Sequence, residues 1–102
     1  MYARLSTYEL PDDANGNAEE AFRNALRSID ECSGLAEGMY LVSCDGGRAI
    51  TLTLWDSRAE MENSRVRATH VRMDAAHEVD ASIVSTEEFE VAFAITRDFA
   101  VS

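Results

Sequence analysis

Apolar and polar residues alternate along four stretches of the chain and recur at helical spacing along two others. The alternating stretches predict strands, and the helical spacing predicts amphipathic helices. The predicted strands are Tyr2 to Leu10, Gly38 to Asp45, Arg48 to Trp55 and Ala81 to Ile95. The predicted helices run from Asn17 to about Ser33 and from Arg58 to about His77. The order of elements is therefore β-α-β-β-α-β.

Local signals mark where these elements begin and end. Asn17 with Glu20, and Ser57 with Glu60, have the spacing of helix capping boxes. Asp45-Gly46-Gly47 predicts a tight hairpin turn, because glycine adopts the positive φ that such turns require. The last strand is interrupted by a polar patch at Ser85-Thr86-Glu87, which predicts a β-bulge, and Thr96 to Ser102 is predicted as a tail.

Two β-α-β units around a central hairpin predict a ferredoxin-like α+β fold. It consists of a four-stranded antiparallel sheet with two helices on one face. Ile50, Leu52 and Leu54 form the more apolar face of their strand, so we expect the helices to cover them. Residues of the other parity, such as Val42 and Thr51, would then lie on an uncovered face. A second copy of the chain is the simplest cover, so the pattern predicts a homodimer through the sheet face.

Length and charge narrow the class of protein. The 102 residues predict one domain spanning 1–102. The net charge of −10 argues against nucleic-acid binding. All nine basic residues are arginine, which excludes lysine chemistry and fits either a GC-rich genome or adaptation to high salt. The sequence shows no apolar run long enough for a membrane helix and no secretion leader, so we expect a cytoplasmic protein without a membrane partner.

The third predicted strand and the helix after it carry a resemblance to a known family. The strand Ile50 to Trp55 runs into Asp56-Ser57 and a helix start. In this junction, and over nearly its whole length, the chain resembles the dimeric α+β barrel superfamily and its antibiotic-biosynthesis-monooxygenase (ABM)-like domains. The resemblance implies dimers whose sheets form a barrel, with a ligand cavity between each sheet and its own helices. It also implies oxidation of an electron-rich phenol or quinol by oxygen, without metal or flavin.

The sequence departs from the haem-degrading branch of that superfamily. That branch needs an asparagine on the first strand and a histidine and a tryptophan on the second helix. Here the first strand carries Ser6 and Thr7, and the second helix has no tryptophan. We therefore predict no haem. The sequence also shows no metal-ligand spacing and no glycine-rich phosphate loop, so we predict no metal and no other cofactor.

Five residues are candidates for a site, and each has a purely structural alternative. His70 is the candidate catalytic base, because an imidazole titrates near neutral pH. The spacing of the second helix predicts one stripe of Ala59, Asn63, Val66, His70, Met73 and His77, so we expect both histidines to face the sheet. Trp55 is the candidate for stacking on an aromatic ligand, Tyr40 for donating a hydrogen bond to a ligand oxygen, and Arg4 for holding an anion in a cavity. The alternatives are half-exposed histidines, core packing of Trp55, a tyrosine that merely covers the sheet, and an arginine paired with a carboxylate. The predicted function is a monooxygenase-like small-molecule-binding domain for phenols or quinols; the alternative is a non-catalytic ligand- or partner-binding module.

Overall fold

The computed structural model describes residues 1–12 and 15–95, with the backbone alone at residues 15 and 16. Its elements are β1 (Tyr2–Glu9), α1 (Asn15–Ile29), β2 (Leu35–Val42), β3 (Arg48–Trp55), α2 (Arg58–Asn63), α3 (Arg65–Glu78) and β4 (Ser82–Glu90). The strands form one sheet in the order β2-β3-β1-β4, and all neighbours are antiparallel. The predicted ferredoxin-like fold is confirmed.

The face of the sheet under the helices is the one that carries the tryptophan and the tyrosines. In the ladder between β1 and β3, Tyr2 lies opposite Trp55 and Tyr8 lies opposite Ala49. Trp55 and Tyr8 are completely buried. The same face also carries buried polar residues, namely Arg4, Ser6, Thr51 and Thr53.

The predicted parity of the third strand is therefore wrong, and two hydrogen bonds allow its polar side to be buried. The Tyr8 hydroxyl and Thr51 Oγ1 are 2.9 Å apart, and Trp55 Nε1 donates to Thr53 Oγ1 at 3.0 Å. Because these partners satisfy both threonine hydroxyls, burying the threonines costs little. Val42, opposite buried Ala49, also lies on the helix side rather than on the uncovered face.

The opposite face of the sheet carries a continuous set of large apolar residues beside a few polar ones, and it has no cover in a single copy of the chain. We call it the open face; its large apolar residues are Leu5, Met39, Leu41, Ile50, Leu52, Leu54 and Phe89. Leu41 and Phe89 are 46% and 47% exposed. A continuous apolar surface of this kind is unusual for an isolated domain and is typical of an interface.

Small residues bring the two long helices together. The buried residues of α1 are Ala18, Ala21, Phe22, Ala25 and Ile29, and those of α3 are Ala68, Arg72, Ala75 and Ala76. The predicted stripe of the second helix, which included Val66, His70, Met73 and His77, is wrong. Val66 and Met73 are 74% and 57% exposed. The buried side of this helix is marked by alanines, whose small side chains allow it to pack closely against α1.

The single helix predicted over Arg58 to His77 is broken at Ser64. Ser64 Oγ donates to the Met61 carbonyl at 2.7 Å and accepts from Arg4 Nη1 at 3.1 Å. Such a bond from a serine side chain to a carbonyl three residues earlier competes with regular helix geometry. The helix start was predicted correctly, since Ser57 Oγ accepts from the Glu60 amide at 3.2 Å.

Several boundaries differ from the predictions. Helix α1 begins at Asn15, so Asn17 lies within the helix rather than capping it. Strand β2 begins at Leu35, three residues earlier than predicted, and β4 ends at Glu90 instead of Ile95. The irregular pairing of β4 with β1 falls between Ile83 and Ser85, slightly before the predicted patch.

The hairpin prediction is confirmed, with Gly46 at φ 78° and the Gly46 amide donating to the Ser43 carbonyl at 2.8 Å. The predicted tail from Thr96 to Ser102 lies outside the described residues. Within the described residues, the structure contains no helix both long and apolar enough to cross a membrane.

Candidate functional site

A cleft of about 470 Å³ opens between α3 and the strands β1 and β4, on the helix side of the sheet. We call it the arginine cleft, because three of its eight lining residues are arginines. The lining is Arg4, Arg65, Thr69, Arg72, Met73, Ile83, Thr86 and Glu88. Its volume lies within the usual range for sites that take small organic ligands.

Arg4, on β1, forms hydrogen bonds both with β4 and with the segment that joins α2 to α3. Its side chain is 2% exposed and donates to Glu88 Oε2 on β4, with the shortest contact at 2.9 Å. The same guanidinium donates to the Met61 carbonyl at 2.8 Å and to Ser64 Oγ at 3.1 Å. Arg4 therefore pairs with a carboxylate, as the structural alternative in the sequence analysis predicts. It also lines the cleft.

Glu88 is held by two arginines at once. Arg65 Nη2 donates to Glu88 Oε1 at 2.7 Å, while Arg4 occupies Oε2. Burial alone would raise the pKa of Glu88, but the hydrogen bonds and charges of Arg65 and Arg4 outweigh it, and the pKa lies below its usual value. Glu88 is thus a stable carboxylate and a poor proton acceptor.

Arg72 projects from the alanine face of α3 and has no acidic partner among the described residues. It is 7% exposed, and its one side-chain hydrogen bond there runs from Nη2 to Thr69 Oγ1 at 3.3 Å. Burial lowers the pKa of its guanidinium, with the charge of Arg4 acting in the same direction. Arginine remains charged in proteins nonetheless. Arg72 therefore presents a positive charge that the described part of the protein does not neutralise.

Trp55 is a core residue and does not line the cleft. Its ring packs with Ile29, Met61 and Ala68 and has no exposed surface. The Arg4 guanidinium carbon lies 5.9 Å from the ring centroid, which is cation–π distance. Trp55 therefore supports the cleft through Arg4, and a ligand cannot stack on it in this conformation.

Tyr40 lies in a separate aromatic cluster at β2. Its ring stacks on Phe22 with centroids 5.1 Å apart and planes 14° from parallel, and Phe22 in turn packs on Tyr8. The Tyr40 hydroxyl oxygen is buried without a hydrogen-bond partner among the described residues, and burial raises its pKa. Tyr40 is absent from the lining of the arginine cleft.

Both histidines point to solvent. His70 and His77 are exposed, and neither lines the arginine cleft. The prediction that they face the sheet is wrong, because the buried side of α3 is set by Ala68, Arg72 and Ala75. An exposed imidazole on that outer surface has no access to a ligand inside the cleft in this conformation.

Of the five predicted site residues, the cleft gathers only Arg4. It adds three charged residues that were not singled out from the sequence: Arg65, Arg72 and Glu88. For Arg72 a signal existed, since it stands among Ala68, Ala75 and Ala76 on one helix face. For Glu88 no local signal exists, because it meets Arg4 across a separation of 84 residues.

Several solved structures have a fold similar to that of this chain. A protein provisionally named antibiotic biosynthesis monooxygenase from Deinococcus radiodurans matches with a TM-score of 0.77 at 13% identity, over 97% of this chain and 100% of its own. SnoaB, a cofactor-independent oxygenase from Streptomyces nogalater, matches at 0.74 with 8% identity, over 94% and 97%. The chain has the ABM fold. The resemblance read from the sequence is thereby confirmed at the level of the fold.

A third structure with the ABM fold is a MhuD variant with two manganese protoporphyrin IX molecules bound per active site. It matches with a TM-score of 0.74 at 21% identity, over 95% of this chain and 100% of its own. The arginine cleft does not fit a haem held by a histidine, since His70 and His77 both lie outside it. Within the described residues, no three His, Cys, Asp or Glu side chains gather as a metal site would require.

Sequence relatives say little about activity. No protein-family model matches the chain. Two uncharacterized proteins from two strains of Mycobacterium tuberculosis, MT2634 and Rv2557, are each 30% identical over 102 residues. The match covers 96% of this chain, and the chain spans only 43% of the length of these relatives.

The Glu88 ion pairs predict a pH-dependent contribution to stability. Because the folded-state pKa of Glu88 is depressed, the contribution is fully present above the unfolded-state pKa of about 4.3 and is lost as pH falls through the folded-state value. Glu88→Gln should therefore lower the free energy of unfolding by about 1 kcal/mol at neutral pH, and the difference from wild type should close in acid.

Urea unfolding of both proteins across the acidic range measures this difference. Asp74→Asn is the control, since Asp74 is exposed on α3 and forms no ion pair among the described residues. A Glu88→Gln deficit that stayed constant or grew with acidification would contradict the assignment.

Proposed function

We propose that this chain is a homodimeric small-molecule-binding domain whose arginine cleft takes a phenolic or quinol ligand. The observation that carries the proposal is the cleft itself. It lies between α3 and the sheet, on the side away from the open face. A second copy could therefore cover the open face while the cleft stays accessible.

The lining of the cleft suits an aromatic ligand that bears hydroxyl groups. Met73 and Ile83 supply apolar surface, and the hydroxyls of Thr69 and Thr86 can exchange hydrogen bonds with a phenol or quinol. Guanidinium groups stack on aromatic faces and stabilise a phenolate. The three arginines would thus favour the deprotonated form of the ligand.

Oxygenation of that ligand is the second candidate function, and the ABM fold of SnoaB, a cofactor-independent oxygenase, favours it. The lining offers no free general base, since Glu88 is paired with two arginines. The proton of a phenol would leave to solvent, with the arginines stabilising the anion that reacts with oxygen. The non-catalytic alternative draws support from the same lack of a base in the lining.

Binding should depend on the space inside the cleft. Thr69→Phe places a ring in the cleft and should weaken the binding of phenols and quinols about tenfold or more, equivalent to ~1.4 kcal/mol. Val66→Phe is the matched control, since Val66 lies on the same helix, 74% exposed and outside the lining. Isothermal titration calorimetry gives the affinities. Trp55 fluorescence gives a second readout, because Arg4 connects its ring to the cleft.

Equal binding to wild type and Thr69→Phe would contradict the proposed site. Oxygen uptake with the same compounds then separates binding from turnover. Turnover that survives His70→Ala would fit the exposed position of His70, whereas its loss would restore the imidazole as the base.

The homodimer is the second part of the proposal, and the open face supports it. In one copy, this face leaves Leu41 and Phe89 about half exposed, and the neighbouring leucines and isoleucine are partly exposed. Burying such a surface against an identical one would return roughly 25 cal/mol for each Å² of apolar area removed from water. Sheet-on-sheet packing about a two-fold axis achieves this with one self-complementary patch.

A charge placed in the centre of the open face should separate the copies. Leu52→Glu would bury a carboxylate against its own symmetry mate, so we expect a monomeric mass by light scattering at micromolar concentration, where wild type gives a dimeric mass. Val66→Glu introduces the same group on α3, where the residue is exposed, and should leave the dimer intact. A monomeric mass for wild type would refute the homodimer.

A further inference from the structure

The arginine cleft is positively charged in a protein that is strongly acidic as a whole. Its lining holds three arginines and one glutamate, and 3 − 1 leaves a formal charge of +2. The whole chain has a net charge of −10. Clefts lined by one sign of charge concentrate ligands of the other sign. The cleft therefore selects against cations and in favour of anions.

Within this cleft the three arginines are not equivalent. Arg4 and Arg65 share the carboxylate of Glu88, at 2.9 and 2.7 Å, so each of them has an acidic partner. Arg72 forms no ion pair with any described residue, and only one of its donors has a side-chain acceptor there. The groups that act on Arg72 are Tyr8, Arg4 and Glu88, and Glu88 is already paired.

Burying a guanidinium without an acidic partner is costly, because water no longer solvates the charge fully. Arg72 is more than nine-tenths buried, and alanines surround it on its helix face. A shorter or apolar residue at this position would extend the packing of α3 at no electrostatic cost. Arg72 lines the cleft, so an anion that enters the cleft would complete the hydrogen bonds of this guanidinium.

We propose that Arg72 is an anion-binding residue and that the ligand of the cleft is an aromatic acid, with its carboxylate on the Arg72 guanidinium. This inference rests on the proposed binding function and specifies its ligand class. The flat, forked guanidinium matches the two oxygens of a carboxylate. Thr69, Met73, Ile83 and Thr86 then face the remainder of the ligand, where an aromatic ring with a hydroxyl group fits the apolar and hydroxyl lining.

A matched pair of probes tests this inference: para-hydroxybenzoate and para-hydroxybenzamide. The two have nearly the same shape, and only the first carries a charge at neutral pH. Wild type should bind the benzoate about tenfold or more tightly than the benzamide, because charge-assisted hydrogen bonds are roughly twice as strong as neutral ones. Arg72→Gln should abolish this preference, and added salt should reduce it in wild type.

Two further variants guard the interpretation. Arg67→Gln is the control, since Arg67 lies on the same helix, pairs with Glu31 outside the cleft and should keep the full preference. Arg72→Lys keeps the charge without the fork, so it should retain a preference for the benzoate at reduced affinity. It also provides a readout if Arg72→Gln does not fold.

The outcomes separate the two proposals. Equal affinity of wild type for the benzoate and the benzamide would overturn the anion site and leave the binding function standing. Failure of wild type to bind either probe, and failure to bind the phenol and quinol panel, would overturn both. A preference for the benzoate that persists in Arg72→Gln would assign the charge selection to another residue and contradict the role of Arg72.

Discussion

Two buried hydrogen bonds allow the polar side of β3 to lie under the helices. The Tyr8 hydroxyl pairs with Thr51, and the Trp55 indole donates to Thr53. Side chains alternate along a strand, so a register shift of one residue would move every side chain of that strand to the other face of the sheet. With these partners, the face that carries the threonines becomes the buried one, and the aliphatic face remains outside.

The site depends on this choice. Arg4 shares a face with Trp55 and Tyr8, so it points toward the helices and reaches Ser64, the Met61 carbonyl and Glu88. Arg4 donates to Ser64, the residue at which the chain breaks between α2 and α3. Helix α3 starts at the next residue and forms one side of the cleft. Arg72 lies on the buried alanine face of α3, so it lines the same cleft as Arg4. The parity of β1 and β3 therefore determines both features: the cleft, which suits a ligand, and the open face, which suits a second copy.

The order of elements, the sheet topology, the hairpin and the start of α2 were predictable, because each follows from signals within a few neighbouring residues. The parity of β3 was not, since Ile50 and Leu52 are more hydrophobic than Thr51 and Thr53, and the compensating hydrogen bonds involve other positions. The face of α3 was missed because its buried residues are alanines. Only Arg4 of the candidate site was anticipated. Its pairing with Glu88 joins opposite ends of the chain through the β1–β4 ladder, which leaves no trace in local spacing.

The burial of Trp55 under the helices tests this parity most directly, because it is the single tryptophan of the chain. The measurement is acrylamide quenching of tryptophan fluorescence in the Leu52→Glu variant, in which a second copy cannot protect the open face. A blue-shifted emission with little quenching is predicted, since Trp55 has no exposed surface within one copy. An emission like that of tryptophan in water, with efficient quenching in a folded variant, would place Trp55 on the open face and contradict the proposed arrangement.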